Sequence, residues 1–389
     1  MASLPLELLP SWQAPEAIPC SLEIALVERD WRELDKPDEI ARWDALAQWA
    51  AEPNPFYESW ALLPALRAFD PNAKVRLLCL EAGGQLAGLV PVSREGRYYG
   101  RPVPHLSNWL HGNAFVGSPL VAQGFEQAFW RELLAWCDGQ PGGALFLHLA
   151  HMPAEGPLHE ALSHVLAEQR RQGATVMREE RAMLRSDLAA EAYLEQSLSG
   201  KKRKELRRQQ RRLAEEGELV TERTTDAAGV AAWAEEFLAL ERAGWKGRQG
   251  SALASDPATA TLFREMLAGA AGRGRLERLA IRLDGRPLAM LATFLAAPGA
   301  FSFKTAFDEE FARFSPGVLL QRENLELLGR ADIAWTDSCA AMDHPMIDHF
   351  WRERRTVARH NIAIGGRTRR LLFRALAARE TGSISAGLA

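Results

Sequence analysis

Residues 303–320 read FKTAFDEEFARFSPGVLL. The first five alternate in the manner of a strand. Asp308, Glu309 and Glu310 then break the pattern, and Ser315-Pro316 opens a helix, since proline in the first turn forfeits no helical hydrogen bond. A helix start of this kind carries unpaired N–H groups and the positive end of the helix dipole, which suits it to an anion. Ser315 is expected to cap the helix, Gly317 to let backbone approach the anion, Val318 and Leu319 to add N–H donors, and Arg313 to meet an anionic oxygen. Lys304, between Phe303 and Thr305, is a cation on a strand expected to be buried, and so calls for a partner.

Working outward, Leu219–Arg223 reads as a strand, and Asp226 and Asp256-Pro257 open helices that run to about Arg242 and Ala271. LERLAIRL and RPLAMLATFLA flank Asp284-Gly285, a hairpin turn signal. Downstream are the helix from Ser315 to about Leu328, a short strand at Asp332–Trp335, a helix near Met346–Arg354 and a strand near Thr356–Ile364. The first half runs in the same order. It has a strand at Leu22–Val27, helices at Asp38–Ala51 and Glu58–Phe69, and a hairpin turning at Gly83-Gly84. Strand-like segments to Val116 follow, then helix Phe125–Cys137, strand Ala144–Leu149, helix Leu158–Arg171 and strand Ala174–Leu184. The repeat lies in element order rather than in residue identity.

That order is the one expected of the GNAT acyltransferase fold, and the second half resembles the CelD/BcsL-like acetyltransferases. The strings carrying the resemblance are SGKKRKELRRQQRRL, ERAGWKGRQGSA, LDGRPLAM, FSFKTAFDEEFARFSPGVLL and DSCAAMDHPMIDHFWRERR. It implies an α/β chain of two tandem GNAT folds, each a mixed, mostly antiparallel sheet flanked by helices. The divisions fall at 1–185, 186–365 (with a basic helix at 199–214) and a basic tail at 366–389, its last eight residues disordered. It further implies acyl-CoA, acetyl or longer, as co-substrate, its pyrophosphate held by Arg313, Ser315, Gly317, Val318 and Leu319. In the first half, FVGSPLVAQGFEQAF separates Pro119 from Gly124 and offers no arginine, so that copy is expected not to bind a donor.

The strand at Lys304 would then lie beside the acyl group, with Lys304 binding an anionic acceptor and a backbone N–H polarising the carbonyl. Asp308, Asp337, Asp343 and His344 are the candidates for handling the amine proton, and Ser338 or Cys339 for protonating the leaving thiolate. Trp245, Lys246 and Arg248, in a glycine-punctuated loop, are the acceptor-binding candidates. The resemblance points to an amine in envelope polysaccharide or lipid biosynthesis as the acceptor. Two other readings stand beside it: a FemABX-like transferase using aminoacyl-tRNA, and a non-catalytic scaffold of polysaccharide assembly.

Composition narrows the alternatives. With 47% hydrophobic and 25% charged residues the chain can bury a full core. Cys20, Cys79, Cys137 and Cys339 are scattered with no CxxC pair, so no disulfide framework or metal site is expected. The longest apolar run, at 287–301, is broken by Pro298-Gly299 and is too short to span a membrane. No signal peptide is recognised at the N-terminus, which points to a cytoplasmic protein. The net charge of −3 conceals segment 199–214, with eight Lys/Arg against Glu205, and a C-terminal stretch from Phe350 with nine Arg against Glu353 and Glu380. Such local positive surfaces fit peripheral contact with an anionic membrane or an anionic ligand. No specific nucleic acid is expected.

Overall fold

The computed structural model describes residues 23–342, 344, 346–382 and 388. The first half comprises β1 (Ile24–Asp30), α1 (Trp31–Leu34), α2 (Pro37–Trp49), α3 (Ser59–Phe69), β2 (Arg76–Ala82), β3 (Gln85–Glu95), β4 (His105–Asn108), β5 (Leu120–Val121), α4 (Glu126–Gly139), β6 (Phe146–Pro153), α5 (Pro157–Glu168) and β7 (Gly173–Leu184). Helices α6 (Ala190–Ser197) and α7 (Gly200–Ala214) lead into the second half. There follow β8 (Leu219–Thr224), α8 (Val230–Ala243), α9 (Trp245–Arg248), α10 (Pro257–Ala271), β9 (Leu276–Leu283), β10 (Arg286–Ala296), β11 (Gly299–Phe307), α11 (Pro316–Asn324), β12 (Trp335–Asp337), β13 (Glu353–Ala363) and α12 (Arg367–Thr381).

Local chemistry explains the boundaries. Both hairpins turn through pairs of left-handed residues, Gly83-Gly84 and Asp284-Gly285, as tight turns between twisted strands require. Asp256 caps α10 by accepting from the N–H of Ala258 at 2.9 Å, with Pro257 in the first turn. Ser199 caps α7 through the N–H of Lys202. The helix starting after Asp226 begins later than the sequence suggests, at Val230, because the Asp226 carboxylate closes a local turn onto Ala228 and Gly229 is left-handed.

The strands form one continuous sheet in the order β1-β2-β3-β4-β6-β13-β7-β12-β11-β10-β9-β8, with β5 beside β3. It is mixed and mostly antiparallel, β4–β6 and β11–β12 being parallel. The halves exchange their last strands. β7, from the first half, pairs with β12, while β13, from the second, pairs with β6 and along its length with β7. Sheet hydrogen bonding therefore runs unbroken across the division at 185/186. The halves also share a core: Phe56, Trp60 and Val116 pack with Phe263, Phe294 and Phe303.

Two expectations are corrected. No helix forms near Met346–Arg354: residues 346–350 are turns and β13 starts at Glu353. Ile347, Phe350 and Trp351 are drawn into the core under α11, which dictates an irregular path. The short strand lies at Trp335–Asp337, later than Asp332–Trp335. Most of the basic tail is helical, α12 packing Phe373 and Ala377 against Phe146 and Ala363. The disordered end expected for the last eight residues, the start of the first strand at Leu22, and Cys20 fall wholly or largely outside the described residues. Among the described residues no helix is long and apolar enough to cross a membrane.

Candidate active site

β11 and β12 run parallel for three residue pairs, Gly299↔Trp335 to Phe301↔Asp337, and then part. The cause of the parting is visible in β12. Asp337 is wholly buried and its Oδ2 takes Arg181 at 2.5 Å from β7 and Arg355 at 2.8 Å from β13. Its Oδ1 accepts the N–H of Cys339, whose left-handed backbone turns the chain off the sheet. Beyond Phe301 the edge of β11 therefore has no strand beside it.

A cavity of about 270 Å³ fills the gap. Its walls are Ser302–Phe307 of β11 with Glu309 beyond it, Ser338–Ala340 after β12, Glu241 and Gly244–Lys246 at the end of α8 and start of α9, Phe115 from the first half, and His344, Met346 and Ile347. A β-bulge decides which side chains enter. Lys304 pairs with Ala292 and Ser302 with Thr293, leaving Phe303 as an extra residue. Phe303 and Lys304 are thereby brought to one face, where Lys304 Nζ lies 5.5 Å from the Phe303 ring centroid and 5.2 Å from that of Phe115.

Among the described residues no carboxylate lies within ion-pair distance of Lys304. Burial, reinforced by the charge of Lys246, pushes its pKa down to about 8. Lys246 is otherwise engaged: it pairs with buried Glu241 at 2.7 Å and reaches the Thr305 carbonyl at 3.5 Å. That contact shows that the Thr305 carbonyl points into the gap, and in a strand the N–H of the same residue lies along the same edge. Asp308 confirms the alternation, its N–H pointing back to Leu288 of β10. Two features that sequence reasoning missed are thus central: the bulge, and the Phe115 wall, which comes from a segment more than 180 residues away in the chain.

His344 lines the cavity with its Nδ1 buried and unpartnered, and burial holds its pKa below the ordinary histidine value. Ser338 and Cys339 also line it, burial raising the Cys339 thiol. Trp245 stands at the rim, 45% exposed. Asp343 lies outside the described residues.

Other expected residues are placed elsewhere. Asp337 is absent from the cavity wall; burial would raise its pKa, but Arg181 and Arg355 hold its carboxyl below the usual range. It is a clamp joining β7, β12 and β13. Asp308 caps the turn at Glu310 and pairs with Arg286. Arg248 pairs with Glu309, which also takes the N–H of Trp245. The five residues assigned to a pyrophosphate are not gathered into one open cradle. Val318 and Leu319 donate to the Ser315 carbonyl, at 2.9 and 3.0 Å, and Ser315 is left-handed with no side-chain cap. Gly317 sits under Met346, whose sulfur would be 2.6 Å from an added Cβ. Arg313 turns away to Glu216, at 2.8 Å.

The equivalent gap in the first half is stitched shut. β4 and β6 pair at Leu106↔Leu147 and Ser107↔His148, after which Asn108 donates to the carbonyls of Gly117 and Ala150 and accepts from the Ala150 N–H. An added Cβ on Gly117 would lie 2.1 Å from the Ala150 carbonyl oxygen, so no ligand fits between them.

On α7, Leu206 and Leu213 are buried, Arg208 pairs with Glu205, and Arg203 holds the carbonyls of Glu195 and Leu198. Lys201, Lys202, Lys204, Arg207, Arg211 and Arg212 are exposed and have no ion pair among the described residues. Cys79, Cys137 and Cys339 are free thiols, all buried.

Residues 200–344, which contain most of this cavity, match the model of the acetyltransferase (GNAT) domain. No curated protein matches the chain. Among solved structures, FemX is 10% identical, with 87% of this chain and 98% of that chain covered at a TM-score of 0.54. The C-terminal domain of a putative lysylphosphatidylglycerol synthetase from Agrobacterium fabrum is 14% identical, covering 88% and 96% at a TM-score of 0.53. A conserved protein of unknown function from Bacteroides thetaiotaomicron is 11% identical, covering 84% and 97% at 0.52. At such identities the likeness is one of fold alone, and the family match lies within the second half of the chain.

Proposed function

We propose that this chain transfers an acyl group to an amine in the gap between β11 and β12. The observation that carries the reading is Lys304: a buried cation with no ion pair among the described residues, aimed by a bulge into a cavity beside the free edge of β11. The acyl carbonyl is placed against the Thr305 N–H, and the developing oxyanion is stabilised by that N–H together with the Lys304 ammonium. His344, neutral at physiological pH, takes a proton from the attacking amine. The amine nitrogen bonds to the carbonyl carbon, the bond to the leaving group breaks, and the departing thiolate recovers the proton that His344 took, passed on by way of Ser338 or Cys339. Trp245 at the rim bounds the acceptor.

The donor in this reading is acyl-CoA, in keeping with the GNAT family match. An acceptor in envelope polysaccharide or lipid synthesis is the finer expectation, and it rests on the resemblance to the CelD/BcsL-like acetyltransferases. A second reading, with aminoacyl-tRNA as donor, is favoured by one observation: the start of α11 lies beneath Met346, with the N–H groups of Val318 and Leu319 already spent.

Calorimetric titration of the whole chain with CoA, acetyl-CoA and palmitoyl-CoA, and separately with aminoacyl-tRNA, decides between the donors. The acyl-CoA reading expects heat from a thioester and its loss on Met346→Trp, which enlarges the cover over Gly317. Binding of aminoacyl-tRNA alone moves the assignment to the second reading. If neither binds, acyl transfer itself is rejected.

A further inference from the structure

Helix α12 is anchored along one stripe and leaves another uncovered. Phe373, Ala377 and Glu380, spaced four and then three residues apart, face inward. Phe373 and Ala377 join the core with Phe146 and Ala363, and the Glu380 carboxylate accepts from the Tyr98 hydroxyl at 2.8 Å and from Asn361 Nδ2 at 3.3 Å. Glu380 is the only acid of the helix, so its one negative charge is turned toward the protein. The outward side carries Leu371 and Leu372, 66% and 54% exposed. Arg367, Arg374 and Arg379 lie about them, exposed and without an ion pair among the described residues.

Tyr98 ties a turn of the same character to this helix. Tyr98 and Arg101 exchange backbone hydrogen bonds of 2.9 and 3.0 Å, which leaves Tyr99 and Gly100 at the tip, both left-handed. Glycine, asparagine and aspartate suit such a tip, and an aromatic residue with positive φ is strained there. Tyr99 is nevertheless 57% exposed, so burial does not repay the strain. Arg359 steadies its hydroxyl at 2.9 Å. Arg97 and Arg101 flank the tip, exposed and again without an ion pair among the described residues.

Unpaired arginines alone would suit any polyanion. Leucines have no counterpart on a surface of phosphates and sugars, and three scattered apolar side chains do not make the packed centre of a protein interface. Leucine and tyrosine ringed by arginine is the composition of a surface that lies in the boundary of an anionic bilayer. There the apolar groups enter the acyl region and the long arginine stems let the guanidinium groups reach the headgroups.

We propose that α12 and the turn at Tyr99 rest on an anionic lipid surface, with Leu371, Leu372 and Tyr99 dipping below the headgroups. The inference is independent of which donor the cavity takes.

The test is flotation of the whole chain with vesicles of phosphatidylcholine alone, and of phosphatidylcholine with roughly a third phosphatidylglycerol. The wild type is expected to bind the anionic vesicles at least about tenfold tighter, and to lose that advantage at high salt. Leu371→Ser with Leu372→Ser, and separately Arg374→Gln with Arg379→Gln, should each weaken binding about tenfold. All four side chains are exposed, so the melting temperature should stay the same. Failure of the wild type to bind, or equal binding to both vesicles, overturns the proposal whether or not the variants fold. Binding that survives both pairs of substitutions but is lost in Lys204→Gln with Arg211→Gln moves the contact to α7 and overturns the assignment to α12. A wild-type dimer in sedimentation that the leucine substitutions dissociate, without vesicle binding, gives the face to a second copy instead.

Discussion

Lys304 Nζ lies 5.2 Å from the ring centroid of Phe115, so a cation on a strand of one half of the chain is seated on an aromatic face supplied by the other. The site is therefore a joint product of both halves, although the family match covers only the second.

Replacing Lys304 by methionine should separate activity from stability. Loss of an oxyanion-stabilising donor lowers kcat by about 10²–10³-fold. Removing a buried cation whose pKa is pushed down to about 8 should leave Tm unchanged or raised at pH 7. Steady-state rates and a thermal melt on the same preparation check both halves of the expectation, and a lower Tm would argue for a structural lysine.

The same shift sets a pH profile. If the charged form of Lys304 is the working one, the rate falls as pH rises through about 8. Stability moves the other way. The folded-state pKa lies below the unfolded value of about 10.4, so the unfolded chain binds more protons between the two and stability gains with rising pH across that window. Denaturant melts of wild type and Lys304→Met at pH 7.5, 9 and 10.5 should show their difference narrowing as pH rises.

Asp337→Asn should destabilise the whole molecule by about 3–5 kcal/mol, because it leaves Arg181 and Arg355 without their shared buried carboxylate. The unfolding should remain a single transition, since the clamp joins strands from both halves. Two separated transitions in calorimetry would contradict that coupling.

Glu58 is buried, takes the Trp60 indole N–H at 2.7 Å, and has its pKa pushed up to about 7 by burial against the opposing charge of Arg275. A carboxyl whose folded pKa is raised contributes its stability at low pH and loses it as pH climbs from about 4.5 to about 7. Glu58→Gln should therefore be more stable than wild type at pH 8, with the advantage shrinking toward pH 5. Melts at the two pH values measure it.

Much of the architecture could be read from local chemistry. Gly83-Gly84 and Asp284-Gly285 announce their hairpins, and Asp256-Pro257 its helix, because each feature is decided by a few adjacent residues. What could not be read depends on distant partners. Residues 346–350 carry an apolar spacing that suits a helix, yet Ile347 and Phe350 are claimed by a core built from other elements. Asp337 has the residue type and position of a catalytic acid, and only the arrival of Arg181 and Arg355 makes it a clamp. Lys304 was legible as a cation needing company, but its company is Phe115, and the bulge that aims it exists only in the pairing with β10. At Ser315–Leu319 the helix start was legible, while Met346 lying over it was not.

The exchange of β7 and β13 has a consequence for how the chain is made. A ribosome delivers the first half long before β13, at Glu353–Ala363, emerges, yet that strand fills the slot between β6 and β7. Domains that fold as they leave the ribosome do so in order from the N-terminus. Here the first half waits with the facing edges of β6 and β7 open to solvent and to other chains. Its sheet closes only when synthesis has passed Ala363, so the newborn chain depends on holding those edges apart until β13 arrives.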